Sequence, residues 1–229
     1  MRLVTWNANG GFHRKAERLL ALKPAVAVVQ ECLRTSFDSL PGQWHWVGPE
    51  KKGLAVAAMP PWRIKKSYEA SGYWIAAAEI DGPCRFLVLG VWACRYGDCP
   101  EDRYIGQVYK AIQQHPEWFG KLPVVMAGDF NANSIWDRKR HVANHTAVVG
   151  LLEQAGLVSA YHHFFEEEQG QETRRTWHLY RHPERGFHID YVFIPKTWAA
   201  RLSAVKVGDR RKWLSLSDHL PVIVDVDVV

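Results

Sequence analysis

Cysteine is scarce in this chain of 229 residues, which contains only Cys32, Cys84, Cys94 and Cys99. Their spacing gives no Cys-x₂-Cys pair and no neighbouring histidine pair, which excludes the common structural zinc motifs. So few cysteines in so long a chain also exclude a small disulfide-stabilised domain. We expect reduced thiols, while a disulfide between Cys94 and Cys99 stays open for an oxidising compartment.

Long apolar runs are also lacking, since none approaches the roughly 20 residues that a membrane-spanning helix needs. The first residues, Met1–Trp6, enter a strand-like pattern directly, without the charged and apolar segments of a secretory signal. There is no internal repeat, no low-complexity linker and no long basic N-terminal extension. The sequence therefore predicts a cytoplasmic protein that does not associate with membranes, with residues 1–229 forming a single domain.

The composition that remains is that of a globular protein, with 47% hydrophobic and 23% charged residues. These values exclude a disordered or a collagen-like chain. The 29 Lys and Arg residues exceed the 24 Asp and Glu residues, which gives a formal net charge of +5. A positive balance fits a polyanionic partner such as nucleic acid, but does not identify one by itself.

Short apolar runs bounded by glycine, proline or charge predict buried strands along the whole chain. These runs are Leu3–Trp6, Ala25–Val29, Leu54–Met59, Tyr73–Ile80, Phe86–Trp92, Val124–Ala127, Ile189–Ile194 and Val222–Val226. Helical spacing predicts helices over His13–Leu22, Asp102–Trp118 and Thr146–Ala155, and the polar stretch Glu166–Arg175 predicts a loop. Because strands outnumber helices and occur in mixed order, the expected fold class is α/β, a four-layer sandwich of two mixed β-sheets flanked by helices.

Polar side chains stand where several predicted strands end or begin. They are Asn7, Glu31, Asp129, Asn131, Asp190, Asp218 and His219. A rigid sheet can bring such side chains together from distant parts of the chain. Clustered carboxylates are costly to bury unless a cation neutralises them, and oxygen ligands without cysteine favour Mg²⁺ or Mn²⁺ over Zn²⁺. The alternative is a set of solvated surface carboxylates with asparagines that stabilise turns.

Short motifs around these residues occur in the order found in one known family. They are Thr5-Trp6-Asn7, Gln30-Glu31, Gly128-Asp129-Phe130-Asn131-Ala132-Asn133, Thr176-Trp177, Ile189-Asp190-Tyr191-Val192 and Ser217-Asp218-His219-Leu220-Pro221. Each motif alone occurs by chance, whereas the full ordered set covers residues 1 to 228. The chain therefore resembles the endonuclease/exonuclease/phosphatase superfamily, which includes deoxyribonucleases, abasic-site endonucleases, inositol polyphosphate 5-phosphatases and sphingomyelinases.

The resemblance implies a site for Mg²⁺ or Mn²⁺. Glu31 would be the principal metal carboxylate, and Asn7 and Asp218 would complete or support the metal shell. A divalent ion held in this way can polarise a phosphoryl oxygen and help to stabilise the leaving group.

The resemblance also implies catalytic roles for four residues. Asp129 would orient or deprotonate the attacking water, and Asn131 would donate a hydrogen bond to the phosphoryl group. His219, oriented by Asp190, would contact the scissile phosphate and stabilise the transition state. Either Asp129 or His219 could act as the base.

Trp92 departs from the family pattern, because many members carry His or Tyr at this strand end. That residue contacts the phosphate or assists the leaving group, whereas an indole N–H donates a hydrogen bond but cannot transfer a proton at neutral pH. Tyr96 or His45 could supply the missing group, or stabilisation of the leaving group falls to the metal.

Basic runs near the motif loops predict contacts with phosphates, and aromatic residues beside them could stack on bases. The runs are Arg138-Lys139-Arg140, Arg174-Arg175 and Arg210-Arg211-Lys212. The candidate substrate-binding residues are Trp92, Tyr96, Trp136, Arg138, Arg175, Trp177 and His178.

Together these features predict a divalent-metal-dependent phosphodiesterase, a nuclease that acts on DNA in preference to RNA as a monomer. One alternative is a phosphomonoesterase or a small phosphodiester hydrolase of the same superfamily. Another is a catalytically weak module that binds nucleic acid, although a scaffold would have no need for costly clustered carboxylates.

Overall fold

The computed structural model describes residues 1–49, 51–69, 74–95 and 103–228. Two six-stranded sheets form the centre of the structure, together with a short two-stranded sheet. Tyr96 and Cys99 lie outside the described residues, and Cys32, Cys84 and Cys94 are free thiols. In the described part of the chain, no helix is both long enough and apolar enough to cross a bilayer.

The first sheet combines strands from both ends of the chain. Its strands are β1 (Arg2–Asn7), β2 (Val26–Cys32), β3 (Gln43–Val47), β4 (Gly53–Ala58), β13 (Leu202–Val207) and β14 (Val222–Val226). They lie in the order β13-β14-β1-β2-β4-β3. Strands β1 and β2 are parallel, and all other neighbours are antiparallel.

The second sheet is built from the middle of the chain with the same arrangement. Its strands are β5 (Arg63–Glu69), β6 (Ile75–Asp81), β7 (Phe86–Trp92), β8 (Val124–Asp129), β9 (Leu157–Ser159) and β12 (Asp190–Pro195). In the order β5-β6-β7-β8-β12-β9, only β7 and β8 are parallel. Strands β10 (Trp177–His178) and β11 (Gly186–Phe187) form the separate hairpin.

Helices pack against both sheets, most of them on the outer faces and two beside the core between the sheets. They are α1 (Ala16–Leu20), α2 (Ile105–Gln114), α3 (His145–Gln154), α4 (Ala160–Phe165), α5 (Lys196–Ala199) and α6 (Arg210–Trp213). Single turns of 3-10 helix occur at Phe12–Arg14, Arg34–Phe37, Pro116–Trp118, Ser134–Trp136 and Leu179–Arg181.

The alternation of side chains along β2 shows how the layers form. Val28 belongs to the core between the two sheets, whereas Val29 belongs to a second core beneath α1. A third core lies between the second sheet and α2 and α3, where Leu89 and Leu152 are buried. Because every central strand buries both faces, these strands have the continuous apolar runs seen in the sequence. The predicted α/β fold of two mixed sheets flanked by helices is confirmed.

The predicted helices occur in the expected parts of the chain, but their first and last residues differ from the prediction. His13–Leu22 divides at Lys15 into a 3-10 turn and α1. In the segment Asp102–Trp118, α2 ends at Gln114, and Pro116 begins a separate 3-10 turn because proline cannot donate the next helical hydrogen bond. Asn144 caps α3 by accepting a hydrogen bond from the backbone N–H of Ala147 at 2.9 Å. The segment Glu166–Arg175 forms neither helix nor strand, as predicted.

Several strands were missed. Strand β5 is polar and mostly exposed, and β13 is exposed along part of its length. Edge strands bury one face at most, so a search for apolar runs does not find them. The predicted strand Tyr73–Ile80 corresponds to β6, and Tyr73 itself lies outside the described residues.

A substitution at Gly128 tests how closely β8 packs against β7. It has a φ of 153°, and a Cβ atom at this position would clash with the carbonyl oxygen of Val91. We expect Gly128→Ala to lower the free energy of unfolding by more than about 2 kcal/mol, measured by urea denaturation. Gly150→Ala is the control, since Gly150 lies in α3 with nothing within 4 Å of the new Cβ, and should raise stability by about 0.5–1 kcal/mol. Equal stability of Gly128→Ala and wild type would contradict the close packing.

Candidate active site

The polar residues predicted at strand ends meet at one edge of the two sheets. Asn7 and Glu31 lie at the ends of the parallel strands β1 and β2, and Asp129 ends β8. Strand β12 runs antiparallel to β8, so its first residue, Asp190, pairs with Asp129. His219 lies just before β14, which brings a residue from the end of the chain to the same edge.

Asp190 and His219 form a buried pair between the two sheets. The Nδ1 atom of His219 lies 2.9 Å and 3.1 Å from the two carboxylate oxygens of Asp190. Asp190 has no exposure to solvent, and His219 is 5% exposed. Burial alone would lower the pKa of His219, but the neighbouring Asp190 and Asp129 carboxylates outweigh it and raise that pKa to about 10. The two carboxylates therefore favour the protonated form of His219, and Asp190 fixes the orientation of its ring.

Local hydrogen bonds hold this pair in position. The Thr176 hydroxyl accepts hydrogen bonds from the backbone N–H groups of Ile189 and Asp190, both at 3.0 Å. The Ser217 hydroxyl donates to the carbonyl oxygen of Asn7 at 2.7 Å and accepts from the backbone N–H of His219 at 3.0 Å. The motif residues that flank the catalytic candidates thus have a structural role, which is to orient the backbone that carries them.

Asp129 faces His219 across the site, with 4.0 Å between its Oδ2 atom and Nε2 of His219. Its Oδ1 atom accepts a hydrogen bond from the backbone N–H of Asn131 at 2.9 Å, and its Oδ2 atom accepts one from Nδ2 of Asn7 at 3.0 Å. Burial raises the pKa of Asp129 to about 7, against the opposing charge of His219. A carboxyl group with this pKa can accept a proton in the neutral range.

Asn7 joins Asp129 to Glu31. Its Nδ2 atom lies 3.3 Å from Oε1 of Glu31, while its Oδ1 atom accepts a hydrogen bond from the backbone N–H of Asn9 at 2.9 Å. The other carboxylate oxygen of Glu31 lies 2.9 Å from Nζ of Lys52. Both oxygens of Glu31 therefore already face positively polarised groups.

Asp218 is connected to the same group of residues through Asn9. Its Oδ1 atom accepts a hydrogen bond from Nδ2 of Asn9 at 2.7 Å, and its Oδ2 atom accepts one from Nε1 of Trp177 at 3.0 Å. Lys15 supports the loop that carries Asn9, because its ammonium donates to the carbonyl oxygens of Ala8 at 2.6 Å and Gly10 at 2.8 Å.

The donor set fits a hard divalent cation. Glu31, Asp218 and Asn7 offer carboxylate and amide oxygens, the ligands that Mg²⁺ and Mn²⁺ prefer. Burial raises the pKa of the nearby Cys94 thiol to about 12, so this sulfur stays protonated and does not compete. Asp129, Asp190 and His219 also bring one potential ligand atom each within 4.8 Å of one another. We interpret that second group as the proton-transfer centre, because Asp190 uses both oxygens on His219.

Strained backbone occurs at the site. Glu31 and Asn131 adopt positive φ values of 57° and 48°, and a shift in register between Gln30 and Cys32 accompanies the first. Asparagine tolerates this conformation, whereas for glutamate it costs about 1–2 kcal/mol. The bulge at Glu31 turns its carboxylate towards the edge where the other site residues lie.

A row of aromatic side chains extends away from His219, and it includes two of the candidate substrate-binding residues, Trp177 and Trp136. The ring of Trp177 lies beside that of His219 with a centroid distance of 6.4 Å, Phe187 lies 6.3 Å from Trp177, and Trp136 contacts Phe187 at 4.7 Å. Trp136 is 43% exposed, and Arg138 follows it on the surface. These residues form a surface on which bases could stack.

Trp92 lies at the floor of the site. It pairs in register with Asp129 and is only 6% exposed, with its ring packed edge-on against Trp74. His45 lies on the edge strand β3, where its Nε2 atom is 3.3 Å from the carbonyl oxygen of Tyr68. The structure does not bring His45 to the residues around Asp129, and the alternative, Tyr96, is outside the described residues.

Arg175 and His178 line a separate cavity on the other side of β10 from Trp177. His178 follows Trp177 in β10, so the two side chains point to opposite faces, and His178 is buried. With Arg174, Arg175 and Arg210 it lines a cavity of about 700 Å³. Arg175 donates a hydrogen bond to the carbonyl oxygen of Glu184 at 2.6 Å. The structure does not bring these two candidates to the centre formed by Asp129 and His219.

Sequence reasoning missed Asn9, Lys52 and Tyr180. Asn9 precedes two glycines directly after the first motif, a signal for a turn that could have been used. Tyr180 is 88% exposed in the loop between β10 and β11, with a φ of 52°. Lys52 has no local signal, because its contact with Glu31 depends on how β3 and β4 are joined.

Comparison with known proteins identifies the family and the fold. The model of the Endonuclease/Exonuclease/phosphatase family matches residues 4–219. No curated protein matches the sequence. Among solved structures, a 3'-5' exonuclease (NExo) from Neisseria meningitidis has 22% sequence identity and a TM-score of 0.75, covering 99% of this chain and 100% of that one. An AP endonuclease from Archaeoglobus fulgidus has 17% identity and a TM-score of 0.75, with 100% of both chains covered. A 3' phosphatase NExo from Neisseria bound to a product DNA hairpin has 20% identity and a TM-score of 0.72, with 99% of both chains covered. These likenesses show the fold.

The pair of Asp190 and His219 predicts a measurable titration. Asp190→Asn removes the charge that favours the imidazolium, so the pKa of His219 should fall by about 1–3 pH units, measured by NMR of the ring resonances in EDTA. Because the folded-state pKa of about 10 lies above the ordinary value near 6.5, the pair stabilises the fold below pH 6.5 and this stabilisation is lost as pH rises to 10. The variant should lose that pH dependence. Asp38→Asn, at an exposed site, is the control. An unchanged His219 titration in Asp190→Asn would contradict the assignment.

Proposed function

The chain belongs to the endonuclease/exonuclease/phosphatase family, and we propose that within it the chain is a divalent-metal-dependent nuclease that hydrolyses DNA phosphodiester bonds. Family membership points to a phosphoester hydrolase. The observation that carries the finer proposal is the close placement of buried His219 and buried Asp129, with 4.0 Å between Nε2 and Oδ2, and their link to Glu31 through Asn7.

Glu31, Asn7 and Asp218 would hold the metal. When bound, Mg²⁺ or Mn²⁺ supplies Lewis-acid polarisation of the phosphoryl oxygen and charge stabilisation for the leaving oxygen. The amide oxygen of Asn7, which accepts a hydrogen bond from the backbone N–H of Asn9, would be its ligand atom. Lys15, which supports the Asn9 loop, would keep Asp218 in place through the hydrogen bond from Asn9.

The residues of the chain account for the rest of the reaction. Asp129 accepts the proton of the attacking water, and the new bond forms between that water oxygen and phosphorus. His219 donates its Nε2 proton as a hydrogen bond to the phosphoryl oxygen, where negative charge builds, and Asn131 adds a second donor. The ester P–O bond breaks, and the leaving oxygen takes its proton from solvent or from an acid other than Trp92, whose indole N–H does not transfer a proton at neutral pH.

The surface around this centre supports DNA as the substrate. Arg138, Trp136 and the exposed Tyr180 lie on loops that lead from the site, and cations with stacking platforms suit a nucleic acid. The solved structures that this chain resembles include a 3'-5' exonuclease, an AP endonuclease and a 3' phosphatase bound to a DNA hairpin. We propose that the protein acts on DNA as a monomer with a single domain, in the cytoplasm.

Cleavage of labelled nucleic acids tests the proposal. Wild type should cleave DNA with Mg²⁺ or Mn²⁺ and not in EDTA. Asp129→Ala and His219→Ala should each reduce kcat about 10²–10⁴-fold, because each removes a proton-transfer or charge-stabilising group. Glu31→Ala should abolish the response to metal.

The matched controls are Asp38→Ala and His163→Ala, a carboxylate and an imidazole at exposed positions outside the site, which should keep wild-type activity. Thermal unfolding of each variant excludes loss of fold as the cause. Cleavage that persists in the double variant Asp129→Ala/His219→Ala would show that the activity comes from a contaminant and not from this site. That result would overturn the proposal.

The same substrate panel includes single-stranded, double-stranded and abasic DNA, RNA, and DNA with a 3' phosphate. Release of phosphate from the last substrate alone would favour the second candidate, a phosphomonoesterase, which the likeness to a 3' phosphatase supports. DNA binding without turnover of any substrate would favour the binding module.

A further inference from the structure

We propose that Lys52 is an exchangeable cation of this site, bound to Glu31 in the absence of metal and to a phosphate of the DNA when metal is bound. This inference rests on the proposed function. It begins from two contacts that the motifs do not explain: Nζ of Lys52 lies 2.9 Å from Oε2 of Glu31 and 5.4 Å from the centroid of the Trp92 ring.

The backbone around Lys52 fixes its place next to Glu31. Its N–H donates to the carbonyl oxygen of Pro49 at 3.0 Å, and the next residue, Gly53, pairs in the sheet with Cys32. A side chain on Gly53 would clash with the ring of Trp46, so the turn is tightly packed at that point. The side chain of Lys52, in contrast, is 52% exposed and can change its direction at little cost.

The ion pair between Lys52 and Glu31 is of the kind that a metal can replace. Half-exposed pairs of this type are weak, whereas a carboxylate binds a divalent ion with twice the charge. Once the ion occupies Glu31, it repels the ammonium. Without metal, Lys52 compensates for the negative charge of Glu31. With metal bound, the ammonium of Lys52 is free to bind another anion.

Trp92 determines where that partner lies. The face of an indole ring attracts an ammonium, and Trp92 pairs in register with Asp129, the residue proposed to receive the proton of the attacking water. Movement over this ring leads Lys52 to the space proposed for the phosphoryl group. An ammonium has three donors and a compact charge, which suits one phosphate oxygen.

Mn²⁺ binding to the protein without DNA tests the first half of the proposal. Lys52→Met removes the competing cation, so the Kd for Mn²⁺ measured by calorimetry should fall about two- to fivefold. Lys52→Arg should remain close to wild type, and so should Lys51→Met at the exposed neighbouring position. An unchanged or weaker Mn²⁺ affinity in Lys52→Met would overturn the exchange at Glu31.

DNA binding tests the second half, measured over a series of salt concentrations in an Asp129→Asn background to prevent turnover. With Mn²⁺, Lys52→Met should weaken binding of a DNA duplex and reduce the slope of log Kd against log salt by about 0.9, the value for one phosphate contact in a duplex. In EDTA, Lys52→Met should have no effect, because Lys52 then lies on Glu31. An equal effect in Mn²⁺ and in EDTA would identify an ordinary surface cation and overturn the proposal.

The two measurements also separate this inference from the proposed function. If the protein bound no DNA, the nuclease proposal and the phosphate contact would both fail. Tighter Mn²⁺ binding in Lys52→Met would still support the exchange at Glu31.

Discussion

Asp190 is a carboxylate without contact to solvent, and the cost of burying its charge governs how the two sheets meet. A buried carboxylate must be paired, and the partner of Asp190 is His219, which lies just before β14 of the other sheet. The same rule applies to Asp129, which receives a hydrogen bond from Asn7 across the same boundary. The hydrogen bonds between the polar side chains of the site therefore also join the two sheets, at an edge where apolar packing ends.

The arrangement of the strands makes these bonds possible. Each sheet has one parallel pair at its centre, β1 with β2 and β7 with β8. The ends of these four strands meet, which places Asn7, Glu31, Trp92 and Asp129 together although they are far apart in the chain. The antiparallel neighbours β12 and β14 begin at this edge and add Asp190 and His219. Rigid strands on both sides thus hold the reacting groups without a long loop.

Sequence reasoning succeeds where one structural cause acts alone. Strands Phe86–Trp92 and Val222–Val226 have the predicted bounds because burial of both faces requires apolar side chains throughout. Polar residues at the ends of such strands, such as Asn7 and Asp129, could be predicted for the same reason. Strand β5 could not, since its polar residues face solvent. The contacts of Lys52 and Asn9 depend on the conformation of turns, and the separation of His178 from Trp177 depends on the alternation of a strand only two residues long.

The hairpin of β10 and β11 has a fixed base and an exposed tip. Trp177 at the base donates to Asp218 and forms a bridge with His219, whereas Tyr180 at the tip projects into solvent. The bonds that hold the catalytic groups therefore do not involve residues 179–185. Over evolutionary time, this segment can lengthen or change in sequence while the chemistry beneath it stays intact. Recognition of new substrates can thus diverge in this part of the fold without passing through inactive intermediates.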